Sequence, residues 1–110
     1  KGKRGDLMAK QMPYYATRGV AESVPLDLQL FLWRLIEAVE AENPVTDYLH
    51  VFECSQVRLG KGCQQKVLHR QEQPPLCYEL VVDGVSAPFF GVIWVIKDGE
   101  YATMLFPEEY

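Results

Sequence analysis

Pro25-Leu26-Asp27-Leu28-Gln29-Leu30-Phe31-Leu32-Trp33-Arg34-Leu35-Ile36-Glu37-Ala38-Val39-Glu40-Ala41-Glu42-Asn43-Pro44 is the stretch whose reading decides the fold. Leu28, Phe31, Leu32, Leu35, Ile36 and Val39 recur at helical spacing and share one broad face, the pattern of a helix laid against a core. Pro25 suits the first turn, where a missing N–H costs nothing, and Ser23 just before it is a candidate N-cap. Asp27 puts a carboxylate near the positive end of the helix dipole. Asn43-Pro44 ends the segment, because proline cannot continue the ladder and turns its predecessor away from helical geometry. The expected helix runs from Leu26 to Glu42.

Leu26, Leu30 and Trp33 form a second stripe at i, i+4 and i+7, on the side that also carries Arg34, Glu37 and Glu40. A helix on a sheet needs only one apolar face. Either the segment before the helix, with Tyr14 and Tyr15, packs over this stripe, or the stripe is a candidate surface for a protein partner or for self-association. A tryptophan flanked by leucines is a good interface anchor.

Outward from the helix, the pattern after Asp47 is strand after strand. Tyr48 to Leu59 and Gln64 to Gln71 flank the glycine-rich turn Gly60-Lys61-Gly62. A two-residue Gly60-Lys61 loop sets Cys54 opposite Val67, Phe52 opposite His69 and His50 opposite Gln71. Pro74-Pro75 precedes a strand from Cys77 to Val82, and Gly91 to Lys97 is rich in Val, Ile and Trp. Asp98-Gly99 is a tight-turn signal that would set Ile96 opposite Tyr101 and Trp94 opposite Thr103. Upstream, Tyr14 to Val20 could supply one more short strand. The fold class is therefore α+β: one amphipathic helix followed by about five antiparallel strands. An open sheet with the helix across one face and a small SH3- or Sm-like barrel both satisfy this pattern.

A chain of 110 residues has room for a single domain, and its 48% hydrophobic content is that of an ordinary globular protein. The longest apolar run, Ala87 to Ile96, is too short to span a bilayer as a helix, and no export signal is visible. Cys54, Cys63 and Cys77 are odd in number and lack a CxxC pair, which points to reduced thiols and a cytoplasmic location. The net charge of −4 conceals a basic head, with Lys1, Lys3, Arg4 and Lys10 against Asp6 alone. Residues 1–12 read as a flexible basic leader or an extraneous remnant, and 13–110 as the domain. The acidic remainder works against generic nucleic-acid binding.

Among candidate chemical groups, the densest block is His69-Arg70-Gln71-Glu72 before the double proline. On a strand His69 and Gln71 share one face and Arg70 and Glu72 the other, so an ordinary surface ion pair is the simplest account of the charges. His50, Cys54, Cys63 and His69 would lie on one face without the tight convergence that zinc requires. Buried cysteines acting as small apolar residues explain them better, and no metal or cofactor is expected. The serines lack a nucleophile elbow, and no phosphate-binding glycine loop is present. The acidic end, Pro107-Glu108-Glu109-Tyr110, reads as a solvated terminus.

The blocks Tyr15-Ala16-Thr17-Arg18-Gly19-Val20, Val24-Pro25-Leu26-Asp27-Leu28-Gln29, His69 to Pro75, Ile93-Trp94-Val95-Ile96, Asp98-Gly99-Glu100 and Thr103 to Tyr110 stand in a particular order. Together they resemble a family of short Firmicutes proteins, domain of unknown function 960, from about Tyr14 to the end. The resemblance implies a small bacterial cytoplasmic α+β protein and no particular reaction. Three functional readings follow. The first is a non-enzymatic protein-interaction module using Leu26, Leu30 and Trp33. The second is a small-barrel nucleic-acid-binding protein with Arg58, Lys61, Lys66, His69 and Arg70 on one hairpin. The third is an enzyme using His69 with Glu53 or Glu72, and it ranks last.

Overall fold

The computed structural model describes residues 12–43, 45–60 and 62–110. Its elements run β1 (Tyr14–Ala16), α1 (Arg18–Ser23), α2 (Leu26–Glu42), β2 (Leu49–Leu59), β3 (Gly62–Gln71), β4 (Leu76–Val82), β5 (Gly91–Lys97) and β6 (Ala102–Leu105), closing with a 3-10 turn, Pro107–Glu109. The strands form one six-stranded sheet in the order β1-β6-β5-β2-β3-β4. The β1 and β4 edges do not meet, so the sheet is open and the barrel alternative is discarded. Every neighbouring pair is antiparallel except β1 with β6, which is parallel.

The expected helix is present and ends at Glu42 with Asn43 as its C-cap, while Pro44 lies outside the described residues. The helix start is not capped as expected: Pro25 is the N-cap residue and offers no side-chain bond, while Ser23 ends α1. Asp27 compensates, since its Oδ1 accepts the Leu28 N–H at 2.8 Å. Leu28, Leu32, Ile36 and Val39 are buried, and Phe31 and Leu35 are partly so. All but Val39 pack on one face of the sheet against Phe52, Val67, Ile93, Val95 and Met104. At about 1.5–3 kcal/mol for each large apolar side chain, this contact is the main stabilising layer.

Two features escaped the sequence pattern. α1 occupies much of what read as a strand: Thr17 caps it by accepting the Val20 N–H at 3.2 Å, and Val20 is fully buried. Glu109 then binds back over its start, accepting from the Thr17 hydroxyl and the Phe106 N–H, each at 2.8 Å. The C-terminal acidic end is thus docked through Glu109 and not simply solvated. A side chain at position 19 would collide with the Glu109 carboxylate, which accounts for Gly19.

The register of β2 and β3 is the expected one, with Cys54 opposite Val67 and Phe52 opposite His69. The β5–β6 register differs by two residues: Trp94 faces Leu105 and Ile96 faces Thr103. The loop widens to Asp98–Tyr101, closed by the Asp98 N–H donating to the Tyr101 carbonyl at 2.8 Å, with Gly99 at φ +83°. A slip of two keeps each side chain on its face, so the alternating apolar pattern could not detect it.

β5 lies beside β2 and not beside β4, so the chain must cross between β4 and β5. Two side chains fix that crossing. The Gln65 amide accepts the Phe89 N–H at 2.6 Å and donates to the Phe89 carbonyl at 2.9 Å. Asp27 Oδ2 accepts the Ser86 N–H at 2.8 Å. The basic-leader expectation for residues 1–12 falls outside the described residues except at Met12, which is half-buried against the core.

Leu32→Ala should cost about 2–5 kcal/mol in urea unfolding, whereas Leu30→Ala on the exposed side should cost less than about 1 kcal/mol. Gln65→Leu leaves both polar groups of Phe89 unpaired and should cost about 1–3 kcal/mol, with faster hydrogen exchange confined to residues 83–90.

Candidate functional site

β3 turns Gln65, Val67, His69 and Gln71 inward, and all four are buried. Three of these are polar, so each must find partners beneath the helix. Gln65 also donates to the Ser55 carbonyl at 2.9 Å, in addition to holding Phe89. Gln71 accepts the Asp47 N–H at 3.2 Å and donates to the Pro74 carbonyl at 2.8 Å. His69 meets His50, Nε2 to Nδ1, at 3.0 Å. The histidines occupy a cross-strand diagonal on the inward face, within reach for long side chains. Their rings are 0% and 2% exposed for His50 and His69. Phe52 stacks on the His69 ring at 4.4 Å between centroids, and Tyr78 approaches at 6.3 Å.

Burial and the neighbouring imidazole push His69 down to about 4, and burial is also the first cause of a lowered His50. Glu40 and Asp47 act on His50 against that trend, and Lys97 acts with it. Glu40 and Lys97 are themselves paired, joining α2 to β5. Both rings are therefore neutral near pH 7, and each carries one proton. One proton lies in the shared bond. The other must sit on His50 Nε2 or His69 Nδ1, the two nitrogens that are buried without a partner. Whichever tautomers are present, one N–H in the interior is unpaired, at a cost of about 1–3 kcal/mol.

Beside this pair, between the second half of α2 and β3–β4, lies an open cleft of about 140 Å³. Its walls are Leu35, Ala38, Val39, Glu42, His69, Tyr78 and Leu80. A larger depression of about 330 Å³ on the opposite face of the sheet includes Glu53, Lys66, Leu68, Phe90 and Val92.

The candidate residues named from the sequence are scattered by the fold. His69 is inside. Arg70 lies on the outer face and bonds Glu53 at 3.0 Å, not Glu72. Glu72 is exposed in the β3–β4 turn, where Asp47 Oδ2 accepts the N–H groups of Glu72 and Gln73 at 3.3 and 3.1 Å. Among the described residues His69 bonds to no carboxylate, and no group of three or more potential metal ligands occurs. Cys54 is buried as expected, with its thiol pushed up to about 12 by burial, but Cys63 and Cys77 are exposed. The helix stripe is split. Trp33 is 8% exposed and stacks on Tyr14 at 4.2 Å, whereas Leu26 and Leu30 are 67% and 50% exposed. Tyr15 does not join them; it lies edge-on to Tyr101. The histidine pair was the feature not anticipated. Its signal was the β2–β3 register, which sets both histidines on one face one diagonal apart.

The family described as staphylococcal protein of unknown function (DUF960) matches residues 14–109. The chain belongs to this family. The match begins at the first residue of β1, so the parallel edge strand is part of the DUF960 region. A crystal structure of a protein of unknown function from Enterococcus faecalis is similar to this DUF960 chain, with a TM-score of 0.75 and 22% identity over 92% of each chain. At that identity the likeness shows the fold alone. No curated protein matches.

The histidine pair gives this DUF960 chain an acid-sensitive core. Unfolded histidines take up a proton near pH 6.5, whereas His69 in the native state resists it until about 4. The unfolded chain therefore binds more protons below about 6.5, so stability is full above that pH and falls as the pH drops towards 4. The loss from His69 is on the order of 3 kcal/mol by pH 4. Thermal melts should show this decline in the wild type and a flatter profile in a His50→Leu/His69→Phe double variant.

Proposed function

We propose that this chain is a non-enzymatic protein-interaction module, and that its occupant is a second copy of itself on the outer face of the sheet. The supporting observation is that α2 covers only one face. Val92, Tyr101 and Tyr15 are exposed on the other, around half-buried Trp94, Ile96 and Leu68. A two-layer fold normally keeps its outer face polar; this one is apolar and covered only in part, with Tyr110 lying edge-on to Trp94. Its charges are balanced locally: Arg70 pairs with Glu53, and Lys66 with Glu79 at 2.6 Å. A chain of net charge −4 meets least repulsion from its own kind on such a neutral patch. The setting we assign is the bacterial cytoplasm, in keeping with three cysteines that form no disulfide.

This moves the interaction surface away from the helix stripe, whose tryptophan is already covered by Tyr14. The alternative of a small-barrel nucleic-acid-binding protein is weaker, since the sheet is open and, of the hairpin cations, His69 is buried and Lys66 and Arg70 pair with carboxylates. Sedimentation over a range of protein concentrations should show a monomer–dimer equilibrium, shifted to monomer by Val92→Glu and unchanged by Leu30→Glu. A monomer at every concentration overturns the proposal. Loss of the dimer in Leu30→Glu alone transfers the contact to the helix.

A further inference from the structure

The cleft between α2 and the β3–β4 edge differs in kind from the outer face, because a polar group lies buried beneath its apolar walls. Leu35, Val39 and Leu80 supply aliphatic wall, and Ala38 leaves room on the helix side. His69, 98% buried by its 2% exposure, contributes a ring whose Nδ1 has no partner. Its other nitrogen is held by His50 and its face by Phe52, so the ring cannot turn away to satisfy itself elsewhere.

From this we infer that the cleft binds a small neutral aromatic molecule carrying a hydroxyl, with the ring between α2 and β4 and the hydroxyl on His69 Nδ1. The volume of about 140 Å³ is close to that of apolar cavities of about 150 Å³ that take up benzene. A hydroxyl both donates and accepts, so it satisfies Nδ1 in either tautomer of the histidine pair. Anions are disfavoured, because Glu42 stands in the wall and the imidazoles are neutral. Nδ1 itself has no exposed surface, so a wall side chain must shift for a hydroxyl to reach it; we assign that role to Tyr78, whose ring centre lies 6.3 Å from that of His69. Tyr78 is on the edge strand β4 and one-third exposed, so its rotation disturbs no second strand.

Phenol is the probe, with toluene and benzoate as the comparison compounds, and the readout is the His69 ring nitrogen signals in an NMR titration. Phenol should move the Nδ1 signal saturably. Toluene, which lacks the hydroxyl, should bind about tenfold more weakly, and benzoate should be weaker still. Ala38→Phe, at an exposed helix position, should fill the cleft and abolish the phenol response while leaving the melting temperature near that of the wild type. Unmoved His69 signals at the solubility limit of phenol overturn the inference. So do equal affinities for phenol and toluene, or an unchanged response in Ala38→Phe. Val92→Glu should bind phenol as the wild type does, which separates this site from the proposed dimer face.

Discussion

The requirement that buried polar groups be hydrogen-bonded governs the inward row of β3, and the rest of the fold is arranged to meet it. Gln65, His69 and Gln71 lie under the helix where an ordinary strand would place valine or isoleucine. Each tethers a different piece of chain. Gln65 fixes the crossing between β4 and β5, Gln71 ties Asp47 to Pro74 at the far end, and His69 joins β3 to His50 in β2. An apolar strand would pack as well and hold none of these. The glutamines contribute less through net bond energy than through the penalty for breaking them, which makes alternative loop paths costly.

The helix supplies most of the burial, yet its position depends on contacts at its two ends. Near the start, Gln29 donates to the Val24 carbonyl at 2.8 Å and joins α1 to α2, while Asp27 reaches the crossing loop. Further along, Glu40 meets Lys97, and Glu37 accepts from the Tyr14 hydroxyl at 2.7 Å. Tyr14 thus closes the sheet edge and covers Trp33 at once. β1 is only three residues long and could not persist as an isolated strand, so this stacking and its parallel pairing with β6 hold it in place. The helix face of the sheet is consequently well covered, while Val92, Tyr15 and Tyr101 stay exposed on the other.

The histidine pair is where stability and binding chemistry meet. A pair of imidazoles can share one proton but cannot satisfy four nitrogens, so the pair carries an unpaired polar group by construction. Evolution usually removes such groups from cores, and those that remain often mark a site. Here the unpaired group adjoins an open cleft, which gives it an outlet that an enclosed core lacks.

By itself the sequence determined the elements that depend on neighbours in the chain: the helix from Leu26 to Glu42, its end at Asn43, the strands after Asp47 and the β2–β3 register. Helical periodicity, alternating side chains and glycine turns act over a few residues, so they can be read in one dimension. Open sheet against barrel, the β5–β2 pairing, the parallel β1 and the two-residue shift at Asp98-Gly99 were decided only by tertiary structure. Each turns on contacts between residues far apart in the chain, or on choices that leave the inward and outward faces unchanged. The same holds for the site. Alternation placed His50 and His69 on one face, but only the packing of α2 over β3 brought them to 3.0 Å and left one nitrogen without a partner.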